Sequence, residues 1–160
     1  MFSSNDTQNS YSKFEDDLIL KQASWILRKR LQKDKTFVKN QDAVHELLRI
    51  NYGPLEVEQF GCMFLNANYQ LINDTVLFRG TVRSCATYPR EIVREALLQN
   101  AVFVVLVHNH PSGSQIPSND DIAMTHHLKD LLGGLDIALF DHIIVAGLEV
   151  FSMRTAGYLG

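Results

Sequence analysis

The stretch that decides the fold is AVFVVLVHNHPSGSQIPSNDD, residues 101–121. Its first seven residues, Ala101 to Val107, form an uninterrupted, valine-rich apolar run, the pattern expected of a central strand covered on both faces. That run feeds directly into His108-Asn109-His110-Pro111-Ser112-Gly113. Ser118 then opens a helix expected to reach about Leu132, where Gly133-Gly134 stops it. DIALFDHIIVAG, residues 136–147, supplies another buried strand, and Val150-Phe151-Ser152 an edge strand.

Upstream, Glu58 to Leu65 alternates, with Phe60, Cys62 and Phe64 on one side and Gly61, Met63 and Leu65 on the other. Asn66-Ala67-Asn68 has turn chemistry, so Tyr69 to Phe78 is expected to return as the second strand of a hairpin, ending at Gly80. After a loop around Cys85, Pro89 suits the first turn of a helix whose apolar face is Ile92, Val93, Ala96 and Leu97. An earlier short helix carries Val44, Leu47 and Leu48 on one stripe and closes at Gly53-Pro54. Ser12 and Glu15 have capping-box spacing, and Phe14, Leu18, Trp25 and Ile26 recur at roughly helical intervals, giving a first helix to about Leu31. Residues 1–11, polar and without period, are expected to be a mobile tail. The order of elements predicts an α/β fold, a mixed sheet packed between helices. We divide the chain into a tail and helix over 1–35 and a domain over 36–160.

Composition narrows the function classes. At 160 residues, 46% hydrophobic and 21% charged, the chain is of globular type. A net charge of −3 does not advertise nucleic-acid binding. Arg28, Lys29, Arg30, Lys33, Lys35 and Lys39 form the one basic run, with only Asp34 nearby to oppose it; such a run is usually a solvated helix end. Two cysteines, Cys62 and Cys85, offer neither a disulfide framework nor a thiolate metal cage. The apolar stretches are too short to span a bilayer, and MFSSNDTQNS lacks the core of a signal peptide, so a cytoplasmic location is expected.

The chemistry concentrates at the end of the valine run. Two histidines at i and i+2 just past a strand end can aim their imidazoles at one point once the pleated geometry is left behind, and imidazole nitrogen binds zinc. A third donor can come from the first turn of the next helix, where the dipole favours ionised carboxylates; Asp120 and Asp121 are both candidates there. Two neutral histidines and one carboxylate leave a fourth position for water, the arrangement of a catalytic zinc site, and zinc brings that water's pKa to near ~7. A competing explanation needs no metal: Ser118 and Asp121 also have the spacing of a capping box.

His108, His110, Ser118 and Asp121 match the HxH, seven residues, Ser, two residues, Asp spacing of the JAMM signature. With HNHPSG, PSNDD, PREIVREAL at 89–97 and DHIIV at 141–145, the chain resembles the RadC-like branch of the JAB/MPN metallopeptidase-type domains from about Thr36 to Tyr158. The resemblance implies a cytidine-deaminase-like fold and one Zn2+ ion. It further implies His108, His110 and Asp121 as metal ligands, Ser118 steadying the water or the oxyanion, and Glu58 in EQF as general base. A carboxylate near the zinc water suits proton transfer to the leaving amine. Glu56 shares a face with Glu58 if the strand extends that far, so either acid meets that need; the resemblance selects Glu58.

The expected activity is therefore zinc-dependent hydrolysis of a peptide or isopeptide bond. Two alternatives stand beside it: a DNA-associated protein in repair or with mobile elements, drawing on the basic run, and a zinc-stabilised interaction module without turnover. Longer RadC-like proteins carry an N-terminal helix-hairpin-helix segment associated with DNA binding, which residues 1–35 are too few to match. The HxE and PCxxC elements of nucleobase deaminases are missing. His142 is read as a core or supporting histidine, and Arg90 as a surface residue or a substrate contact.

Overall fold

The computed structural model describes residues 4–33, 37–80 and 87–160. In chain order these form α1 (Ser4–Lys33), a short 3-10 turn (Phe37–Lys39), α2 (Gln41–Tyr52), β1 (Gln59–Leu65), β2 (Leu71–Arg79), α3 (Pro89–Leu98), β3 (Phe103–Asn109), α4 (Asn119–Gly133), β4 (Ala138–Ala146) and β5 (Glu149–Ser152). The five strands make one mixed sheet in the order β2-β1-β3-β4-β5. β3 is central, antiparallel to β1 and parallel to β4 through the α4 crossover. The α/β architecture expected from the sequence is the one observed.

Alternation along the strands divides the interior in two. Phe60, Cys62, Phe64, Val104 and Leu106 pack against α3 and α4, with Ile92, Ala96, Leu128 and Leu132. Met63, Leu65, Val105, Val107, Ile143 and Val145 pack on the other side, against Leu31, Val44, Leu47, Leu48 and Tyr52. A register shift in β4, between the partners of Val104 and Val105, sets the phase of the strand. As a result Asp141 and Ile143 face the α2 side while His142 and Ile144 face the other.

Several expectations change. The chain is helical from Ser4, where an aperiodic tail was expected up to residue 11; an apolar stripe signals burial, and its lack does not forbid a helix. Ser12 consequently lies inside α1 rather than at its cap. Phe14 and Trp25, whose spacing suggested the helix, are 68% and 59% exposed. The helix docks instead through Leu27 and Leu31, a Ser24 hydroxyl donating to Asn51 Oδ1 at 2.9 Å, and a two-pronged ion pair between Arg28 and Asp74 of β2. Arg28 is thus engaged within the fold rather than belonging to a free basic patch. Leu97, expected on the packed face of α3, is also exposed, leaving Ile92 and Ala96 as its anchors. Cys62 is a buried core thiol whose pKa burial pushes up. Lys35 and Cys85 lie outside the described residues. Among the described residues no helix is long and apolar enough to cross a membrane.

Phe64 is fully buried between β1 and the α3/α4 layer. Phe64→Ala is expected to lower stability by about 3–5 kcal/mol in chemical denaturation, the loss typical of a large aromatic cut from a closed core.

Candidate metal centre

β3 runs further than its apolar run. Its ladders pair Phe60 with His108 on one side, and His108 with Ile144 and Asn109 with Val145 on the other. His108 therefore lies within the strand, not past its end, and the fixed pleat turns its ring to the α3/α4 face beside Phe60, stacked at a centroid separation of 5.8 Å. It is fully buried. His110 is the residue that leaves the strand. Its N–H still donates to Val145 O at 2.9 Å, after which Pro111 and Ser112 form the turn closed by Gly113 N–H on His110 O. Gly113, at φ 80°, takes the left-handed conformation that glycine tolerates. The returning chain brings Ser114 O within 2.8 Å of His110 Nδ1. A carbonyl only accepts, so Nδ1 carries the proton and Nε2 presents its lone pair.

The third group comes from the start of α4. Ser118 is the N-cap, accepting from Asp121 N–H at 3.1 Å, while the Asp121 carboxylate accepts from Ser118 N–H and from its hydroxyl, each at 2.7 Å. The capping box and the convergence on the histidines are thus the same carboxylate seen from two sides. Asp121 Oδ1 lies 3.2 Å from His108 Nε2 and Oδ2 lies 3.4 Å from His110 Nε2; the two Nε2 atoms are 2.9 Å apart. Donors bound at ~2.0–2.1 Å to a tetrahedral ion stand about 3.3 Å from one another. Separations of 2.9–3.4 Å match that spacing, and the donor set is electron-rich on every side, so these residues form a group that could hold a metal ion. Asp120, the other candidate, is exposed and is not part of the group.

Charge in the group follows the same geometry. Burial works against ionising Asp121, but the Ser118 hydroxyl and the adjoining His108 and His110 rings override it and hold the carboxyl far below the usual range. The hydrogen bond to Asp121 raises the pKa of His110, against the opposing effect of burial. His142, on β4, is fully buried, and burial drives its pKa well down. Its Nε2 lies 2.8 Å from His108 Nδ1 and its Nδ1 2.6 Å from Thr125 Oγ1.

Glu58 sits one residue before β1, half-buried, close enough for its charge to act on His110. Glu56 lies in a bend outside the strand and is exposed, so the shared strand face considered for the two acids does not form. The segment carrying Glu58 is held by a residue that sequence reasoning passed over. Asn109, only 2% exposed between the two histidines, points to the opposite face; its Oδ1 accepts from Gln59 N–H at 2.7 Å and its Nδ2 donates to Val57 O at 3.1 Å. Its place inside HxH, on a strand, was the available signal. Thr125 was also missed, although it follows Asp121 by four residues and so shares its helix face. Arg90 is exposed beside Glu91 and is not brought to the group. A cavity of about 890 Å³ opens around Phe140 and Asp141, and none of its lining residues belongs to the group.

A mixed five-stranded sheet between helices, with two histidines at the end of its central strand and an acid at the following helix start, defines an α/β domain of the JAB/MPN class. The chain belongs to the RadC-like JAB domain family, whose profile matches residues 38–158. A UPF0758 protein of Vibrio cholerae is 40% identical over 88% of this chain and 88% of its own length. UPF0758 proteins of Cupriavidus necator and Ectopseudomonas mendocina are 43% and 38% identical over 69% and 88% of the chain. Of these two relatives the chain covers 49% and 62%, so it spans about half to three-fifths of their length.

Two predictions follow from this geometry. Asn109→Ala leaves the Gln59 N–H and the Val57 carbonyl without their partner, and is expected to destabilise by about 1–3 kcal/mol. Hydrogen exchange should show amides 57–59 opening faster than in the wild type. The second concerns pH in the metal-free chain. The lowered pKa of Asp121 contributes stability above ~3.9 that is lost as pH falls; the raised pKa of His110 contributes below ~6.5 and is lost as pH rises. The stability advantage of wild type over Asp121→Asn is therefore expected to peak between about pH 4 and 6.5 in denaturant titrations. A difference that stays flat with pH would contradict it.

Proposed function

We propose that this chain is a zinc-dependent hydrolase of peptide or isopeptide bonds, with one zinc ion held by His108, His110 and Asp121. The observation carrying this reading is the approach of two imidazole Nε2 atoms and one carboxylate to within 2.9–3.4 Å of one another, next to an exposed loop. Three donors and an open side are the composition of catalytic rather than structural zinc sites. Zinc held there supplies Lewis acidity, polarising an amide carbonyl and bringing coordinated water towards a pKa of ~7.

The chain's own residues supply the rest. Glu58, beside His110, takes the proton from the attacking water and delivers it to the leaving amine. The Ser118 hydroxyl, which donates to Asp121 here, turns to the developing oxyanion. Asn109 keeps the Glu58 segment in place from the far side of β3. His108 lies at the buried end of the group, while His110, Asp121 and residues 111–116 open to solvent, which suits an extended polypeptide better than an enclosed small molecule.

Elemental analysis of purified protein is expected to give one zinc per chain, largely lost in His108→Ala. In a panel of peptides and ubiquitin-like conjugates, Glu58→Gln is expected to keep its zinc and to lower hydrolysis by at least ~100-fold. Wild-type protein without zinc, or zinc content indifferent to His108→Ala, would remove the basis of this reading.

A further inference from the structure

The hydrogen bonds behind His108 have a direction, and the direction can be worked out from their far end. Thr125 Oγ1 lies 2.5 Å from the backbone carbonyl of Asp121. That carbonyl has no proton to give, so the single hydroxyl hydrogen of Thr125 is committed to it. Thr125 Oγ1 is then an acceptor towards His142, and the 2.6 Å contact requires the proton on His142 Nδ1. An uncharged imidazole carries one N–H, so His142 Nε2 holds a lone pair. Across the 2.8 Å contact with that nitrogen, His108 must donate from Nδ1. A neutral His108 is left with a bare Nε2, the atom aimed at His110 and Asp121.

We propose that His142 and Thr125 are positioning residues of the metal centre: together they fix His108 as the Nδ1–H tautomer and hold its Nε2 lone pair on the ion position. This inference rests on the metal reading of the preceding subsection and deepens it. The relay begins and ends on the proposed ligands themselves, running from the Asp121 carbonyl through Thr125 on α4 and His142 on β4 to the ring of His108 on β3. It ties the helix bearing one donor to the strand bearing another. His142 and Thr125 are both fully buried, so water cannot substitute for a missing link without new space. Ligand histidines generally depend on such a partner on the second ring nitrogen for orientation and tautomer.

The test measures zinc affinity by competition with a chromophoric chelator for wild type, Thr125→Val, Thr125→Ser and His142→Ala. It also records long-range nitrogen spectra of the histidine rings in metal-free protein above the histidine titration range. Thr125→Val keeps the shape of the side chain and removes the relay's hydroxyl; it is expected to weaken zinc binding about 10–100-fold, as is His142→Ala. Thr125→Ser restores the hydroxyl and is expected to recover most of the wild-type affinity. The wild-type spectra should place protons on His108 Nδ1 and His142 Nδ1, and Thr125→Val should disturb that assignment.

A His108 proton found on Nε2 in the metal-free wild type overturns the inference, as does zinc affinity unaffected by Thr125→Val. Failure of the metal reading would look different. The wild type would then take up no zinc, while the metal-free spectra would still decide the relay. A His142→Ala chain that does not fold leaves the valine and serine variants to give the answer.

Discussion

The structure depends first on β3 being hydrogen-bonded along both edges. A strand so held cannot rotate a residue out of its pleat, and every side chain on it is assigned to one face or the other. Val104, Leu106 and His108 therefore share the α3/α4 side, and Val105, Val107 and Asn109 the α2 side. A slip of one residue would exchange the two sets, placing Asn109 where His108 now meets Asp121. The apolar packing that prevents the slip is thus also what aims the histidine. Asn109 uses the same constraint in the other direction, continuing the ladder with its amide where the backbone pairing to β1 ends.

A second constraint is electrostatic. Three electron-rich atoms gathered at the edge of a core repel one another unless a positive charge lies among them. Protonation of His110 supplies such a charge, the direction in which its own pKa rises and that of Asp121 falls. A metal ion held there would take the place of that proton and release it. The cost of assembling the group falls on the surrounding fold: Phe60 lies against both buried histidines, and Ser118 meets the carboxylate with two donors.

Much of this was legible in the sequence because strong local signals coincided. The valine run, the proline at the start of α3 and the double glycine at the end of α4 each mark a boundary by a mechanism acting on neighbours in the chain. His108, His110 and Asp121 were legible because motif spacing records which elements they end or begin. What stayed hidden was of a different kind. The docked side of α1 is set by Arg28 meeting Asp74, 46 positions away, and no periodicity in the helix announces it. Thr125 and Asn109 look like ordinary residues of a helix and a strand until the register of the sheet is known. The register shift in β4 that brings His142 to His108 is likewise a property of the paired strands, not of either one alone.

The three donors are not held with equal firmness. His108 is part of a paired strand and Asp121 is built into a helix cap, whereas the ring of His110 is steadied by a carbonyl from a solvent-exposed turn. Local opening is least costly where backbone is exposed and few apolar contacts must break. His110 is then the least firmly held of the three, and an ion bound there would leave or arrive through a state gripped by two elements with the third swung aside. The turn would act as a latch on a seat that the sheet and helix keep in shape.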